Sequence, residues 1–335
     1  MTAKPRVHIL ATGGSISGIG PHRFDYTLYP ESGKKLTVEQ MLERIPEARE
    51  IADITAENAL QVGSPAIGPK EWLQLAERVH ALYAGLNPPA GIVITHGTAT
   101  LEETAYFLHL TVKSERPVVV TGAMRPPSAV GSDADLNLLD AIRLAASPEA
   151  AGRGVLTVLN NEIQCARDVT KDNAFRVNTF NSRDFGVLGF VDSDARVLFY
   201  RDVTRPHTTE TEFDVRGAKS LPRVDVVYSY AGDDGLVMDA LLEKKQSEGL
   251  IMVGFGGGSY PPAFFAAGKR AAQAGIPVVL ATRSTTGRVI ATPQKEAAGI
   301  IVCDDLMPQK ARILLTLALT VTTDRKAIQD MFYRY

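Results

Sequence analysis

Two threonines that stand beside glycines are the residues of this sequence best suited to do chemistry. Thr12 comes directly before a Gly-Gly pair, and Thr98 comes directly after a single glycine. A threonine hydroxyl attacks a carbonyl only when a neighbouring group removes its proton or lowers its pKa. Tyr26 and Lys171 are candidate partners, since a buried lysine readily loses its proton and then acts as a base. The sequence thus predicts a nucleophilic hydroxyl and leaves open whether Thr12 or Thr98 attacks first.

Ordinary structural roles for the same residues are the alternative. Thr12 would then only cap a tight turn, Tyr26 would be packed and half-buried, and Lys171 would be a solvated surface lysine. His96, which follows an apolar run, is predicted to be a structural histidine with its hydrogen bonds satisfied. If the site is chemical, backbone N–H groups beside the two threonines would hold an oxyanion or a substrate carboxylate.

Short apolar runs that alternate with helical patterns must position these threonines. The runs at 7–11 and 91–95 are predicted to be buried parallel strands, and each ends at one of the two threonine-glycine motifs. Strands joined through helices form right-handed crossovers and a parallel sheet covered on both faces. Such sheets bind ligands outside the carboxyl ends of their strands, where glycines let the backbone turn sharply.

The alternation predicts a two-domain α/β protein. It lapses between 160 and 221 and then resumes. We therefore predict an N-terminal α/β domain over 1–205 that carries the catalytic threonines, a linker over 206–221, and a C-terminal α/β domain over 222–335. The glycine cluster at 254–258 fits neither the dinucleotide-binding pattern nor the P-loop pattern, so it predicts no nucleotide site.

Charge and composition argue against several classes of partner. The chain has 335 residues with 36 basic and 38 acidic side chains, a formal net charge of −2, and 45% hydrophobic residues. This balance offers no electrostatic case for nucleic acid or an anionic membrane as the main partner. No apolar run approaches the roughly 20 residues of a membrane span, and no apolar signal segment precedes the first predicted strand. Cys165 and Cys303 lack metal-ligand spacing, so we expect free thiols, no metal site and a cytoplasmic protein.

The motifs around both threonines resemble those of a known family. Ala-Thr-Gly-Gly-Ser-Ile at 11–16 is similar to the first signature of bacterial-type L-asparaginases, and Thr-His-Gly-Thr-Ala-Thr-Leu-Glu-Glu-Thr-Ala at 95–105 is similar to the second. Segments 122–126, 167–171 and 308–312 extend the resemblance along the whole chain. It implies an asparaginase-like two-domain fold, with a larger N-terminal and a smaller C-terminal domain, and no metal or organic cofactor. It also implies a homodimer or homotetramer with sites at the subunit interface.

The resemblance also assigns roles by position. It makes Thr12 the primary nucleophile, Tyr26 the tyrosine that assists it, Thr98 the second catalytic threonine and Lys171 the lysine that works with it. The implied reaction is attack of a hydroxyl on an amide carbonyl, loss of ammonia and hydrolysis of the acyl-enzyme. The implied substrate contacts, with Ser64 at the position that holds the substrate's α-carboxylate, are Gly63, Ser64, Pro65, Gly97, Ala99 and Ala123.

The positions that would hold the α-ammonium group of an amino acid depart from the family's pattern. Ala99 stands where an aspartate is usual, Pro65 where a glutamine is usual and Gly257 where an asparagine is usual. No acid occurs between 286 and 295, where the resemblance places a neighbouring subunit's glutamate. A buried ammonium without acidic partners is strongly disfavoured. We therefore expect a small carboxylate substrate without an α-ammonium group, such as an ω-amide, a cyclic imide, a ureide or hydantoin-like compound, or a thioxo analogue.

Two alternative functions remain. The chain could be an L-asparaginase or glutaminase with an unusual amino-group pocket, or an inactive paralogue that only binds a ligand. Arg23 and Arg288 are candidate anion contacts for a shifted substrate and are otherwise plain surface residues.

Overall fold

The computed structural model describes residues 3–335, which form two compact units divided between Gly217 and Ala218. Both units are built on parallel strands joined by helices. The predicted fold class, a larger N-terminal and a smaller C-terminal α/β unit, is therefore confirmed. None of the helices in residues 3–335 combines the length and the apolar character needed to cross a bilayer.

The first unit alternates strands and helices along most of its length. Its strands are β1 (Arg6–Gly13), β2 (Asp53–Val62), β3 (Gly91–Thr95), β4 (Val118–Thr121), β5 (Val155–Leu159), β6 (Glu162–Cys165), β7 (Thr170–Lys171), β8 (Phe180–Asn181), β9 (Gly189–Val191) and β10 (Val197–Phe199). Its helices are α1 (Val38–Glu43), α2 (Ala48–Ile51), α3 (Pro69–Ala84), α4 (Leu101–Thr111) and α5 (Ala134–Ala146).

In the main sheet of this unit, the order in which successive strands are added reverses at the first strand. Within the described residues its order is β10-β9-β6-β5-β4-β3-β1-β2, and β1 to β5 are parallel. The chain leaves β1 for β2 on one side and later returns to β3 on the other side. A switch point of this kind opens a crevice at the carboxyl ends of the two central strands. Val7, Ile9 and Leu10 in β1 have no exposed surface, as expected for a strand covered on both faces.

Three short strands extend the sheet where the sequence patterns lose their alternation. β6 pairs antiparallel with β5, and β9 and β10 continue the antiparallel edge. Asn160 and Asn161 connect β5 to β6 with φ angles of 52° and 64°, the left-handed conformation that two-residue hairpin turns use. Strands of three or four residues without intervening helices leave no periodic signal. For that reason β6, β9 and β10 were not predicted from the sequence.

The segment predicted as a linker begins with residues that pack on the first unit. The Thr211 hydroxyl donates to Leu110 O at 2.6 Å, and Lys113 Nζ donates to the carbonyl oxygens of Thr208 and Thr211 at 2.9 Å each. Phe213 has no exposed surface. The division between the two units, at Gly217, therefore lies inside the predicted linker.

The second unit carries a parallel sheet with the simple order β11-β12-β13-β14. These strands are β11 (Val224–Tyr228), β12 (Gly249–Gly254), β13 (Val278–Thr282) and β14 (Ile300–Val302). The helices are α6 (Leu236–Lys244), α7 (Pro262–Gln273), α8 (Pro293–Ala297), α9 (Pro308–Ala318) and α10 (Arg325–Arg334).

Candidate active site

Backbone segments meet closely at the switch point between β1 and β3. Gly14 has a φ of 88°, and an ideal Cβ on it would lie 2.3 Å from Gly97 Cα. A Cβ on Gly97 would in turn lie 2.7 Å from the Ser64 hydroxyl oxygen. Only glycine permits this approach, because any side chain would overlap the facing backbone. Ser15 and Thr98, the residues that directly follow the two glycines, therefore flank the contact.

Thr98 and Lys171 lie in direct contact although 73 positions separate them. Lys171 Nζ donates to Thr98 Oγ1 at 2.9 Å, and the Thr98 side chain is buried. Antiparallel pairing of β7 with β8 holds Lys171 in place, opposite Phe180. The structure thus brings together the predicted threonine–lysine pair.

The environment of Lys171 lowers the pKa of its ammonium group. Burial lowers the pKa of Lys171, and the charge of Glu102 raises it by a smaller amount. Glu102 is itself buried, and its Oε1 accepts the backbone N–H of Lys171 at 3.4 Å. A lysine with a lowered pKa can accept a proton from the hydroxyl beside it. Lys171 can therefore act as a base toward Thr98.

Thr12 and Tyr26 are not brought together. Thr12 has no exposed surface, and its hydroxyl donates to Thr95 O at 2.8 Å, at an irregularity in the β1–β2 pairing. The Tyr26 side chain is 37% exposed, and its hydroxyl donates to Val130 O at 3.0 Å. Each hydroxyl bonds a backbone carbonyl rather than the other residue, and the catalytic roles of Thr12 and Tyr26 remain predictions.

Ser15 and Tyr29 form the hydroxyl pair that the sequence analysis missed. The Ser15 hydroxyl donates to Ala123 O and lies close enough to the Tyr29 phenol to lower its pKa. The Tyr29 ring lies over Gly18, where a Cβ would approach Tyr29 Cδ2 to 2.7 Å. Ser15 stands inside the quoted 11–16 motif, and the position directly after two glycines was the signal available to find it. No comparable signal separates Tyr29 from Tyr26, because both lie in the same irregular loop.

The phenol of Tyr29 is held in its protonated form. Burial raises the pKa of Tyr29 most, the hydrogen bond with Ser15 lowers it, and the charges of Asp25 and Asp133 raise it further. A tyrosine of ordinary pKa, about 10, already donates a hydrogen bond near neutral pH, and the raised pKa of Tyr29 extends this to higher pH.

The predicted substrate contacts divide into buried and exposed residues. Ser64 is buried, and its carbonyl oxygen accepts the Thr100 hydroxyl at 2.7 Å. Ala123 is also buried and contacts Ser15 through its carbonyl oxygen. Gly63, Pro65 and Ala99 are exposed. The side chains of Pro65 and Ala99 carry no charge and no polar group that would attract an ammonium.

His96 has the structural role predicted for it. It has no exposed surface, and its Nδ1 lies 2.8 Å from Gly97 O while its Nε2 lies 2.9 Å from Thr104 Oγ1. A carbonyl oxygen only accepts, so Nδ1 carries the proton and Nε2 accepts from the threonine. Trp72 Nε1 donates to the same threonine oxygen at 2.9 Å. Burial lowers the pKa of His96 to about 4, so the ring is neutral and holds Gly97 in place.

The remaining predicted contacts lie on the surface or in ion pairs. Arg23 is exposed, and Arg288 pairs with Asp304 within the second unit. Cys165 and Cys303 are buried free thiols. In residues 3–335, no cluster of histidine, cysteine, aspartate and glutamate side chains is arranged to hold a metal ion.

Comparison with known proteins agrees with the fold and the arrangement of the motifs. Residues 6–205 match the model of the N-terminal asparaginase domain, and residues 223–332 match the glutaminase/asparaginase C-terminal domain. The chain is 42% identical over 333 residues to L-asparaginase 2 of Bacillus subtilis, covering 99% of this chain and 87% of that protein. It is 37% identical over 337 residues to the glutaminase-asparaginase of Pseudomonas fluorescens, covering 100% of this chain and 91% of that protein.

A solved structure shows the same architecture. The crystal structure of a probable cytoplasmic L-asparaginase from Campylobacter jejuni superposes with a TM-score of 0.94 at 40% identity, covering 99% of this chain and 100% of that one. Similarity at this level along both units leaves one conclusion about kinship. The chain belongs to the asparaginase family of amidohydrolases.

Proposed function

We propose that this hydrolase cleaves an amide-like carbonyl of a small carboxylate, with the Thr98–Lys171 pair as its base. The observation that carries the proposal is the 2.9 Å hydrogen bond between Lys171 Nζ and Thr98 Oγ1. It places a proton acceptor with a lowered pKa at the strand ends where α/β sheets bind ligands. A lysine of ordinary pKa is charged at neutral pH and cannot serve as a base.

The attacking group in this proposal is the Ser15 hydroxyl. It follows the left-handed glycine turn directly, it is a primary alcohol with less steric hindrance than a threonine, and it lies close enough to the phenol of Tyr29 to lower its pKa. Ser15 Oγ adds to the carbonyl carbon, the C–N bond breaks, and the leaving nitrogen departs with the serine's proton. Water then attacks the acyl carbon while Lys171, through Thr98, takes one proton from the water. As the ester C–O bond breaks, Lys171 returns that proton through Thr98 to the Ser15 oxygen, which releases the carboxylic acid product and frees Ser15.

The threonine nucleophile predicted from the sequence is the second candidate, and Thr98 is the threonine that the contacts favour. Its hydroxyl contacts Lys171 Nζ, whereas the Thr12 hydroxyl bonds the carbonyl oxygen of Thr95 rather than a basic side chain. Quenched single-turnover reactions followed by peptide mass spectrometry distinguish the candidates, because the acyl group stays on the residue that attacked. We expect the adduct on the peptide that contains Ser15. An adduct on Thr98 or Thr12 would overturn this assignment.

Substitutions provide an independent test of the same roles. Ser15→Ala and Lys171→Ala should each reduce kcat by a factor of about 1000 or more, as removal of a nucleophile or its base does in other hydrolases. Thr12→Val keeps the shape of the side chain and removes one hydrogen bond. It should lower the free energy of unfolding by about 1 kcal/mol and leave kcat unchanged. Full activity of Ser15→Ala would contradict the proposal.

The substrate class we propose is a carboxylate without an α-ammonium group: an ω-amide, a cyclic imide, a ureide or hydantoin-like compound, or a thioxo analogue. Support comes from the exposed, uncharged side chains of Pro65, which follows the buried Ser64, and of Ala99, which follows the buried Thr98. Ammonia release from succinamate and from L-asparagine, measured side by side, tests the class. We expect a higher kcat/KM for succinamate, and efficient turnover of L-asparagine would refute the class.

Two alternatives have their own outcomes in that assay. L-asparaginase or glutaminase activity is favoured by the similarity to L-asparaginase 2 of Bacillus subtilis and to the glutaminase-asparaginase of Pseudomonas fluorescens, and it would appear as turnover of L-asparagine or L-glutamine. An inactive ligand-binding paralogue would hydrolyse none of these substrates. Its Ser15→Ala variant would bind carboxylates as tightly as the unsubstituted protein does. Self-association into a homodimer or homotetramer is likewise proposed, and sedimentation equilibrium measures it. A cytoplasmic location is proposed by analogy with the Campylobacter jejuni protein.

A further inference from the structure

The loop from Ser17 to Leu36 brings Tyr29 to the candidate site. Two backbone hydrogen bonds close its base: Leu36 N–H donates to Ser17 O at 2.7 Å, and Ile19 N–H donates to Lys34 O at 3.0 Å. The position of the phenol therefore depends on how the loop folds between these points. We call residues 17–36 the Tyr29 loop.

Asp25 organises the turn that leads into Tyr29. Its carboxyl oxygen Oδ1 accepts the backbone N–H groups of Leu28 at 2.7 Å and Thr27 at 3.2 Å. The side chain is only 3% exposed. An aspartate that bonds the N–H groups two and three positions ahead fixes a tight turn. The turn ends at Leu28, one residue before the phenol.

The second carboxyl oxygen of Asp25 is buried and has no hydrogen-bond partner in residues 3–335. It faces the backbone of Gly20, where a Cβ would lie 2.5 Å from Oδ2. An unpaired buried carboxyl oxygen is unfavourable for stability. An asparagine would form the same turn through its amide oxygen without a charge, so the turn alone does not require aspartate at this position.

The charge of Asp25 acts on Tyr29. Asp25 and Asp133 are the two acids that raise the pKa of this phenol. Both carboxyl oxygens of Asp133 accept backbone N–H groups, from Met124 and Arg125 at 2.9 Å each. The second oxygen of Asp25 has no such partner to offset its charge. Of the two acids, Asp25 raises the pKa of Tyr29 more.

We propose that Asp25 is a positioning residue for Tyr29: its carboxylate fixes the turn that seats the phenol beside Ser15, and its negative charge acts on that phenol. The inference rests on the proposed function, in which Tyr29 serves the Ser15 hydroxyl. Asp25 itself touches neither substrate nor the attacking oxygen in this account.

The test uses the full-length protein and ammonia release from succinamate and L-asparagine in parallel, across pH. Asp25→Ala removes the turn and the charge, and we expect kcat to fall about tenfold with KM nearly unchanged. Asp25→Asn keeps the acceptor of the turn and removes the charge. Without that charge the pKa of Tyr29 falls, so the high-pH limb of kcat should move to lower pH.

Two further variants isolate the mechanism. Gly20→Ala places a methyl group against Asp25 Oδ2, and we expect it to reduce kcat about as much as Asp25→Ala. It therefore tests the role of Asp25 even if Asp25→Ala fails to fold. Glu31→Gln removes an exposed charge from the same loop and should change nothing. In a Tyr29→Phe background, Asp25→Asn should have no further effect on kcat, since residues that act through one another are not additive.

The results separate this inference from the function beneath it. If Tyr29→Phe retains full kcat, the proposed role of the Ser15–Tyr29 pair fails. If Tyr29→Phe is impaired while Asp25→Asn keeps the wild-type pH profile, only the role of Asp25 fails. An equal loss from Asp25→Asn with and without Tyr29 would also overturn the inference.

Discussion

Gly14 lies so close to Gly97 that an ideal Cβ on the first would be 2.3 Å from Cα and 2.4 Å from N of the second. The carboxyl ends of β1 and β3 can touch only because both positions lack a side chain. Ser15 directly follows Gly14 and Thr98 directly follows Gly97, so this one backbone contact sets the positions of both hydroxyls. The site depends on that contact.

A methyl group at position 97 should therefore damage the site. Gly97→Ala would place Cβ 2.7 Å from the Ser64 hydroxyl oxygen and 3.1 Å from Gly14 Cα. We expect the free energy of unfolding to fall by about 1–3 kcal/mol, which is typical of overpacking. We also expect kcat/KM to fall at least tenfold, which is a loss of about the same size in free energy. Urea denaturation and ammonia release measure the two effects.

Gly85→Ala is the matched control for that substitution. Its Cβ would meet only carbonyl oxygens, at 3.5 Å and 3.6 Å, and its backbone is not left-handed. Stability and activity should stay near wild-type values. Equal behaviour of the two variants would show that the Gly14–Gly97 contact does not set the site.

The activity should decline at low pH as Lys171 becomes protonated. Burial lowers the pKa of Lys171 and Glu102 partly restores it, so the neutral base is lost as pH falls through that pKa. Glu102→Gln keeps a hydrogen-bond acceptor for the Lys171 backbone and removes the charge. The low-pH limb of kcat/KM should then move to lower pH.

Glu77→Gln, at an exposed position on α3, is the control for that shift. Its pH profile should match wild type, because the charge is solvated and screened. A low-pH limb that stays in place or moves upward in Glu102→Gln would rule out Lys171 as the titrating base.

An acid at position 99 should change which substrate is preferred. Ala99→Asp supplies a carboxylate beside Thr98, and hydrogen bonds to charged groups contribute about 1.5–3 kcal/mol. The ratio of kcat/KM for L-asparagine over succinamate should rise by about tenfold or more. Ala99→Asn has nearly the same shape without the charge and should leave the ratio close to wild type. Equal ratios in the two variants would mean that charge at this position does not select the substrate.

The buried histidine should make the fold sensitive to acid. Burial lowers the pKa of His96 to about 4, whereas an unfolded histidine has a pKa of about 6.5. Between these values the unfolded chain binds a proton that the folded chain does not, so stability falls as pH drops. The contribution is about 3 kcal/mol between pH 7 and pH 4.

Urea denaturation at pH 7 and pH 4.5 tests that sensitivity with paired variants. His96→Gln should weaken the dependence of unfolding free energy on pH, whereas His22→Gln, at an exposed position, should preserve it. The same pH dependence in both variants would show that His96 is not the group responsible.

The sequence by itself was enough to predict the class of fold and the family. Short apolar runs at β1 and β3, separated by helical patterns, require parallel strands, because each pattern reflects burial along a local stretch of chain. The Thr98–Lys171 pair was also predictable, through motifs that resemble those of the asparaginase family. These features depend on residue order alone, and the structure agrees with them.

Only the tertiary structure decided which hydroxyl and which tyrosine meet. Thr12 and Ser15 are three residues apart in one motif, and the left-handed turns at the intervening glycines put one hydroxyl on a strand carbonyl and the other beside a phenol. Tyr26 and Tyr29 are likewise three residues apart, and the closure of their loop decides which points inward. Spacing along the chain carries no record of such turns, because side-chain direction depends on backbone angles and on distant packing.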